Sequence, residues 1–183
     1  MDEINSINHE NKITLKYIFK EWLLPFAIEA LVVILIVKYL VFLTNVPSGS
    51  MIPTIQENSW FFSARVYNPL KNVKRGDIII FKSDEMHLML TKRVVGLPGD
   101  KVEIKEDGKV YINGEYYEEP YVKNPSPKTA SFEVPEGCFL FLGDNREGSV
   151  DARFWNNPYI PAEKIYGRAM FMIYPFKDFG PIK

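Results

Sequence analysis

The sequence is short of the side chains most often recruited for chemistry. Cys138 is the only cysteine in 183 residues, which excludes an intramolecular disulfide and a thiolate-built zinc site. Histidine occurs twice, as His9 and His87, so a histidine-based triad has few places to come from. Basic excess is missing too: 22 Lys and Arg stand against 23 Asp and Glu, for a net charge of -1. No nucleic-acid partner is expected from such a balance. Apolar side chains, by contrast, are plentiful. At 46% hydrophobic and 14% aromatic, the chain can fill one globular core and still carry an appendage.

The appendage comes first. Residues 1–11 are polar and read as loosely ordered. Residues 12–23 set Lys12, Lys16 and Lys20 on one helical face, as in a short helix at a membrane surface. Residues 23–43, LLPFAIEALVVILIVKYLVFL, are a long hydrophobic run. About 20 helical residues cross a bilayer core of roughly 30 Å. Glu29 and Lys38 interrupt the run toward its ends, where Lys38 can snorkel outward. No Ala-x-Ala site follows, so the run reads as an uncleaved anchor rather than a cleaved leader. Three lysines precede it closely, and the next basic residue after it is Arg65. The positive-inside rule then puts residues 1–22 in the cytoplasm and the chain from residue 44 outside.

From residue 44 to 183 the pattern is that of strands. Residues 75–83 (RGDIIIFKS) and 87–96 (HLMLTKRVVG) are apolar runs of strand length. Asp107-Gly108 and Asn113-Gly114 are hairpin turns between alternating segments within 101–117. Residues 118–131 hold three prolines and read as a loop, so that about 101–137 forms a small inserted hairpin and loop region. Strands follow at 132–134, 138–142 and 165–174, and no helix of useful length is expected after residue 44. The fold class is mostly β: a single transmembrane helix, then one antiparallel β domain.

Chemistry centres on Val46-Pro47-Ser48-Gly49-Ser50-Met51-Ile52-Pro53-Thr54, just beyond the hydrophobic run. A serine nucleophile needs a base, and with histidine scarce a lysine can serve. A free lysine is uncharged in roughly one molecule in 2,500 at pH 7, so it must be buried among apolar groups to serve. Lys92 fits, because strand alternation groups it with Leu88, Leu90 and Val94, and turns Arg93 to the other side. Lys82 is a weaker candidate, because it ends its strand beside Ser83-Asp84-Glu85 and can stay solvated. The segment 143–153, GDNREGSVDAR, mixes acids with arginines. Interleaved arginines would repel a cation, so it makes a poor metal site and a good salt-bridged scaffold. In that scaffold Asp144 or Asp151 can pair Arg93, and Ser149 can orient the amine of Lys92.

Three blocks in this order, SGSMIPT (48–54), RGDIIIF (75–81) with KRVVGLPGD (92–100), and GDNREGSVDAR (143–153), resemble the signature boxes of type I signal peptidases. The single anchor and the short insert are closer to Gram-positive members than to two-anchor ones. The resemblance implies a β fold of the signal peptidase type and a serine endopeptidase that removes signal peptides after small residues. It implies Ser50 as nucleophile and Lys92 as general base. Ser48 and the Ser50 N–H would form the oxyanion hole, with Ser149 positioning Lys92. Arg93, Asp144, Arg146, Asp151 and Arg153 would brace the site. Val46, Met51, Ile55, Leu90 and Thr91 match substrate-pocket positions. Where the family usually has serine before the last arginine, this chain has Ala152, so no hydrogen bond is expected there.

No metal or organic cofactor is implied. The expected partners are preprotein signal peptides, membrane lipid and the export machinery nearby. The substrate would add as a strand beside residues 44–48 and 88–91. Three other readings are weighed. A non-catalytic export or pilus-assembly factor on the same fold is expected to lack the serine or the lysine. A self-cleaving repressor needs a DNA-binding head where this chain has an anchor. A specialist peptidase for one substrate, such as a pilin, keeps the same chemistry.

Overall fold

The computed structural model describes residues 15–182. The polar residues 1–11 and the start of the lysine-faced helix at Lys12 lie outside them. The chain divides into two units, Met1–Leu40 and Val41–Lys183.

In the first unit, helix α1 (Leu15–Ile18) runs through a π turn (Phe19–Leu23) into helix α2 (Leu24–Tyr39). Pro25 explains the wider turn. Proline has no N–H to donate and its ring crowds the carbonyl four residues back, which the π register relieves. The stretch Phe19–Tyr39 is 21 residues long with a mean hydropathy of 2.0, and none of it is buried against protein. It has the length and composition of a membrane span, at about 30 Å. The helix stops at Tyr39, earlier than the expected span of 23–43. Val41, Phe42 and Leu43 open strand β1 (Val41–Val46) instead. Apolar periodicity does not separate the end of a greasy helix from an apolar strand that follows directly.

The second unit is built on two antiparallel sheets. The larger has the order β1-β2-β11-β3-β4-β9-β10, with β2 (Ser59–Arg65), β3 (Ile78–Ser83), β4 (Leu88–Gly96), β9 (Cys138–Leu142), β10 (Tyr159–Pro161) and β11 (Ile165–Tyr174). The short β12 (Gly180–Pro181) pairs with β11. The smaller has the order β7-β6-β5-β8, with β5 (Lys101–Ile104), β6 (Val110–Ile112), β7 (Glu115–Tyr117) and β8 (Ala130–Glu133). Its two hairpins turn where expected. Gly108 sits at φ +77, and Asn113 and Gly114 both have positive φ, as a tight two-residue hairpin turn requires.

Two apolar clusters hold this unit together. One joins β3, β4 and β9 to the small sheet through residues such as Phe81, Val94, Val102, Phe139 and Phe141, with Phe81 stacked on Phe141. The other gathers Val46, Met51, Ile55, Phe61, Ile78, Ile80, Ala169 and Met172. At roughly 1.5–3 kcal/mol per buried side chain, these contacts dominate the stability of the domain. The large sheet ends at β1 and at β10, and β4 is paired by β9 only from Arg93 onward, so Leu88–Lys92 is also unpaired on that side.

Candidate active site

Ser50 sits in a single 3-10 turn, Gly49–Met51, between β1 and β2. Its side chain is 6% exposed. Ser48, in extended conformation before the turn, makes no capping bond; its Oγ lies 3.3 Å from Ser50 Oγ, the only hydrogen bond described for the Ser50 hydroxyl. The loop is tied down at both ends. Asn58 N–H donates to Val46 O, and Ile55 N–H to Met51 O. Met51 and Ile55 root it in the second cluster.

β4 runs alongside this turn and carries Lys92. Lys92 is 3% exposed. Burial pushes its amine down to about 8, against the pull of the Asp151 and Asp144 carboxylates; Arg153 pushes it further down. The expected aliphatic face is thus only part of the surroundings. Thr91 through Val95 are all buried, so both sides of the strand are covered, and the amine also feels the charged loop. Ser149 is buried, and its Oγ has no hydrogen-bond partner, the bond expected with Lys92 included.

Charges around the pair are matched in a fixed pattern. Arg93 grips Asp144 with two bonds, Nε to Oδ1 at 2.8 Å and a terminal nitrogen to Oδ2 at 2.6 Å. Arg93 also donates to Gly76 O at 2.7 Å. Thr54 Oγ1 donates to Asp144 Oδ2 at 2.5 Å, fastening the serine loop to the same carboxylate. Asp151 takes two bonds from the Arg153 guanidinium, both at 2.8 Å, one from Arg153 N–H at 3.3 Å and one from Gly143 N–H at 2.9 Å. Arg146 donates to Gly143 O at 3.0 Å and pairs with Glu119 at 2.5 Å. Of the two acids expected to pair Arg93, it is Asp144; Asp151 braces Arg153.

Gly143 is where the loop meets the serine. A Cβ on Gly143 would overlap Ser149 Oγ and stand 2.6 Å from the Ser50 carbonyl oxygen. Only glycine lets these groups approach so closely. Among the described residues no group of three or more His, Cys, Asp and Glu could hold a metal ion.

The model of the family described as "Signal peptidase, peptidase S26" matches residues 19–174. This chain belongs to that family. Among its relatives, the probable signal peptidase I-2 of Synechocystis sp. is 35% identical over 142 residues, covering 74% of this chain and 64% of that protein. Signal peptidase I of Bacillus licheniformis is 32% identical and the match covers 97% of both chains. Signal peptidase I T of Bacillus subtilis is 33% identical, covering 90% of both. Membership makes the chain a serine peptidase. The roles of single residues in this S26 peptidase rest on the geometry above.

The structure divides the five expected pocket residues. Met51 and Ile55 are 0% exposed and Val46 is almost fully buried, all three inside the second cluster. They back the serine loop, and core packing takes up the side chains of Met51 and Ile55 fully and of Val46 almost fully. Leu90 and the buried Thr91 lie on β4, where Leu90 packs against the first cluster and keeps part of its surface. A cleft of about 750 Å³ lies at Ile104, Lys105, Thr129 and Ser131 of the small sheet and includes no residue of the serine loop or β4. The Ala152 side chain is buried in the first cluster and contributes packing, while its N–H donates to Phe141 O at 3.4 Å.

Three residues of the proline-containing loop belong to the site and were not anticipated. Glu119 pairs with Arg146. Tyr121 donates to Glu119 at 2.7 Å and lays its ring 3.9 Å from the Arg93 guanidinium. Burial, then the nearby Glu119 carboxylate, holds its phenol protonated. Asn124 donates to Asn145 Oδ1 at 3.0 Å. One signal was available. Arg93, Arg146 and Arg153 are three buried arginines, and of the three buried aspartates Asp100 is taken by Arg75, which leaves Asp144 and Asp151; buried charges require partners, so a third acid had to arrive from elsewhere.

Proposed function

We propose that this chain is a membrane-bound endopeptidase that cuts signal peptides from exported preproteins after small residues. The buried, easily neutralised Lys92 on the strand beside the Ser50 turn carries this reading. Ser50 Oγ attacks the scissile carbonyl while neutral Lys92 accepts its proton. Ser48 Oγ and the Ser50 N–H steady the oxyanion, the group in which negative charge develops. The protonated amine then delivers the proton to the departing amino terminus. An acyl-enzyme remains, and Lys92 activates the water that hydrolyses it. Ser149 Oγ, buried and unpartnered, is available to orient the amine. No step calls for a cofactor.

The open edges at β1 and along Leu88–Lys92 of β4 suit an extended peptide. A signal peptide pairing with β1 or with Leu88–Lys92 of β4 would satisfy exposed backbone groups by strand addition. Its small side chains would then meet Leu90 and Thr91. With Phe19–Tyr39 across the bilayer and the lysines preceding it in the cytoplasm, the domain from Val41 onward faces outward. Membrane lipid and the export machinery are then its neighbours.

The test is cleavage of a purified preprotein bearing Ala-x-Ala by the full chain in detergent. Wild type is expected to release the signal peptide, and Ser50→Ala and Lys92→Ala to release none. Cleavage surviving either substitution overturns the dyad. A panel of secreted preproteins and pilins distinguishes a general enzyme from a specialist one.

A further inference from the structure

Asn145 is a residue of the charged loop to which neither composition nor family resemblance gives a role. Its contacts converge on the nucleophile. Its side-chain Nδ2 donates to Gly49 O at 3.1 Å, and its backbone N–H donates to Ser50 O, also at 3.1 Å. The two carbonyls held in this way flank the alpha carbon of Ser50.

Geometry gives this a consequence. In a planar trans peptide the carbonyl and the N–H point in opposite directions. Fixing Gly49 O therefore fixes the direction of the Ser50 N–H, which belongs to the same peptide unit. That N–H lies in the first turn of a 3-10 helix, where the helix supplies no acceptor, and no described hydrogen bond uses it. It is an unspent donor whose aim is set from the far side of its peptide plane, where Gly49 O accepts two bonds, one from Ile52 N–H within the turn at 3.2 Å and one from Asn145 Nδ2 across from the charged loop.

The Asn145 amide is itself held in one orientation. Asn124 Nδ2 and Gly148 N–H both donate to its Oδ1, at 3.0 and 3.3 Å. The donor end, Nδ2, is thereby left facing Gly49 O. Asn124 in turn accepts from Glu147 N–H through its backbone carbonyl at 3.1 Å, which keeps the proline-containing loop against the charged one.

We propose that Asn145, oriented by Asn124, is a positioning residue that aims the Ser50 N–H at the transition-state oxyanion. This rests on Ser50 being the nucleophile. Asn145 touches neither substrate nor the reacting oxygen. A merely structural staple would hold the loop for substrate and transition state alike. An aiming device acts only where charge develops, so its loss falls on kcat and spares KM.

The experiment compares wild type with Asn145→Leu, which keeps the size and adds no charge, and with Asn124→Ala, which changes an exposed side chain. All are full-length in detergent, at a pH where Lys92 is neutral. Three quantities are read: kcat and KM on an Ala-x-Ala peptide, affinity for an uncleavable analogue, and affinity for the matching peptide aldehyde, whose serine adduct carries an oxyanion. Asn145→Leu is expected to lower kcat by about tenfold to a hundredfold with KM changed less than about threefold. Aldehyde affinity falls in step with kcat, and the analogue's affinity does not. Asn124→Ala gives a smaller loss of the same kind. If kcat stays within about twofold of wild type in both variants, or the aldehyde and the analogue lose affinity equally, the proposal fails. Asn124→Ala carries the test alone should Asn145→Leu not fold. Ser50→Ala separates the two levels: retained cleavage there removes the nucleophile reading and this inference with it, whereas a dead Ser50→Ala beside an unaffected Asn145→Leu removes this inference alone.

Discussion

Arg93 and Asp144 meet in a two-pronged ion pair from which water is excluded, at 2.8 and 2.6 Å, with side chains 4% and 0% exposed. One residue lies next to Lys92 on β4; the other opens the charged loop and also receives Thr54 from the serine loop. Three segments are thus joined at one carboxylate. Removing one partner of a buried pair leaves the other charge stranded, at a cost of about 3–5 kcal/mol. Asp144→Asn is therefore expected to lower the unfolding free energy by that much, read as a lower midpoint in urea titrations of the full chain. Lys109→Ala, which breaks a solvent-screened pair with Asp107, should leave stability nearly unchanged. Equal effects from the two would show that the pair is not a structural joint.

Lys92 makes activity depend on pH in a definite direction. Its amine, brought by burial to about 8, must be neutral to act. At pH 7 roughly a tenth of molecules qualify, and kcat/KM should drop about tenfold for each pH unit below that. Stability moves the same way. An unfolded lysine titrates near 10.4, so between about pH 8 and 10.4 the unfolded state binds more protons and stability rises with pH. Below 8 the full cost is present, on the order of 3 kcal/mol. Lys92→Met should abolish cleavage and raise the thermal midpoint at pH 7. A flat profile of kcat/KM between pH 6 and 9 would remove Lys92 as the base.

How much of this could be read in advance varies with the physics of each element. β9 is a continuous apolar run, β11 and the two hairpins of the small sheet carry alternation or turn glycines, and all of them appear where the pattern puts them. β2 does not, because its pattern is inverted. Ser59 and Ser63 are buried while Trp60 and Phe62 are 43% and 47% exposed, so hydrophobicity assigns the faces backwards. Thr44 makes burial of Ser63 tolerable by a hydrogen bond of 2.7 Å. Around Lys92 the alternation rule identified the residue but not its company. Both faces of β4 are covered there, and the charged groups that reach the amine come from residues about 50–60 positions away in the chain. Glu119 and Tyr121 sit in a stretch with no period, so only the surplus of buried arginine hints at them.

Gly143 offers a sharp steric test. A methyl group there would collide with Ser149 Oγ and press on the Ser50 carbonyl. One of these groups is proposed to orient the base, and the other belongs to the nucleophile. A displacement of about 1 Å at reacting groups costs on the order of a hundredfold in rate. Gly143→Ala should therefore lose about that much kcat while remaining folded. Circular dichroism paired with single-turnover cleavage checks both halves. Wild-type kcat from Gly143→Ala would mean that Ser149 and Ser50 need not lie so close.

Tyr121 separates stacking from hydrogen bonding. Its ring lies 3.9 Å from the Arg93 guanidinium, and its hydroxyl donates to Glu119 at 2.7 Å. Tyr121→Phe keeps the ring and removes the donor to a carboxylate, a loss of about 1.5–3 kcal/mol for a charge-assisted bond. Tyr121→Leu also removes the cation–π contact, for roughly 0.5–2 kcal/mol more. The order of thermal midpoints should be wild type, then Phe, then Leu. Both variants keep Ser50, Ser48 and Lys92, so each should cleave at a substantial rate at temperatures where it is folded. A Leu variant as stable as the Phe variant would show that the ring does not brace Arg93, and the proline-containing loop would then be fastened through Glu119 alone.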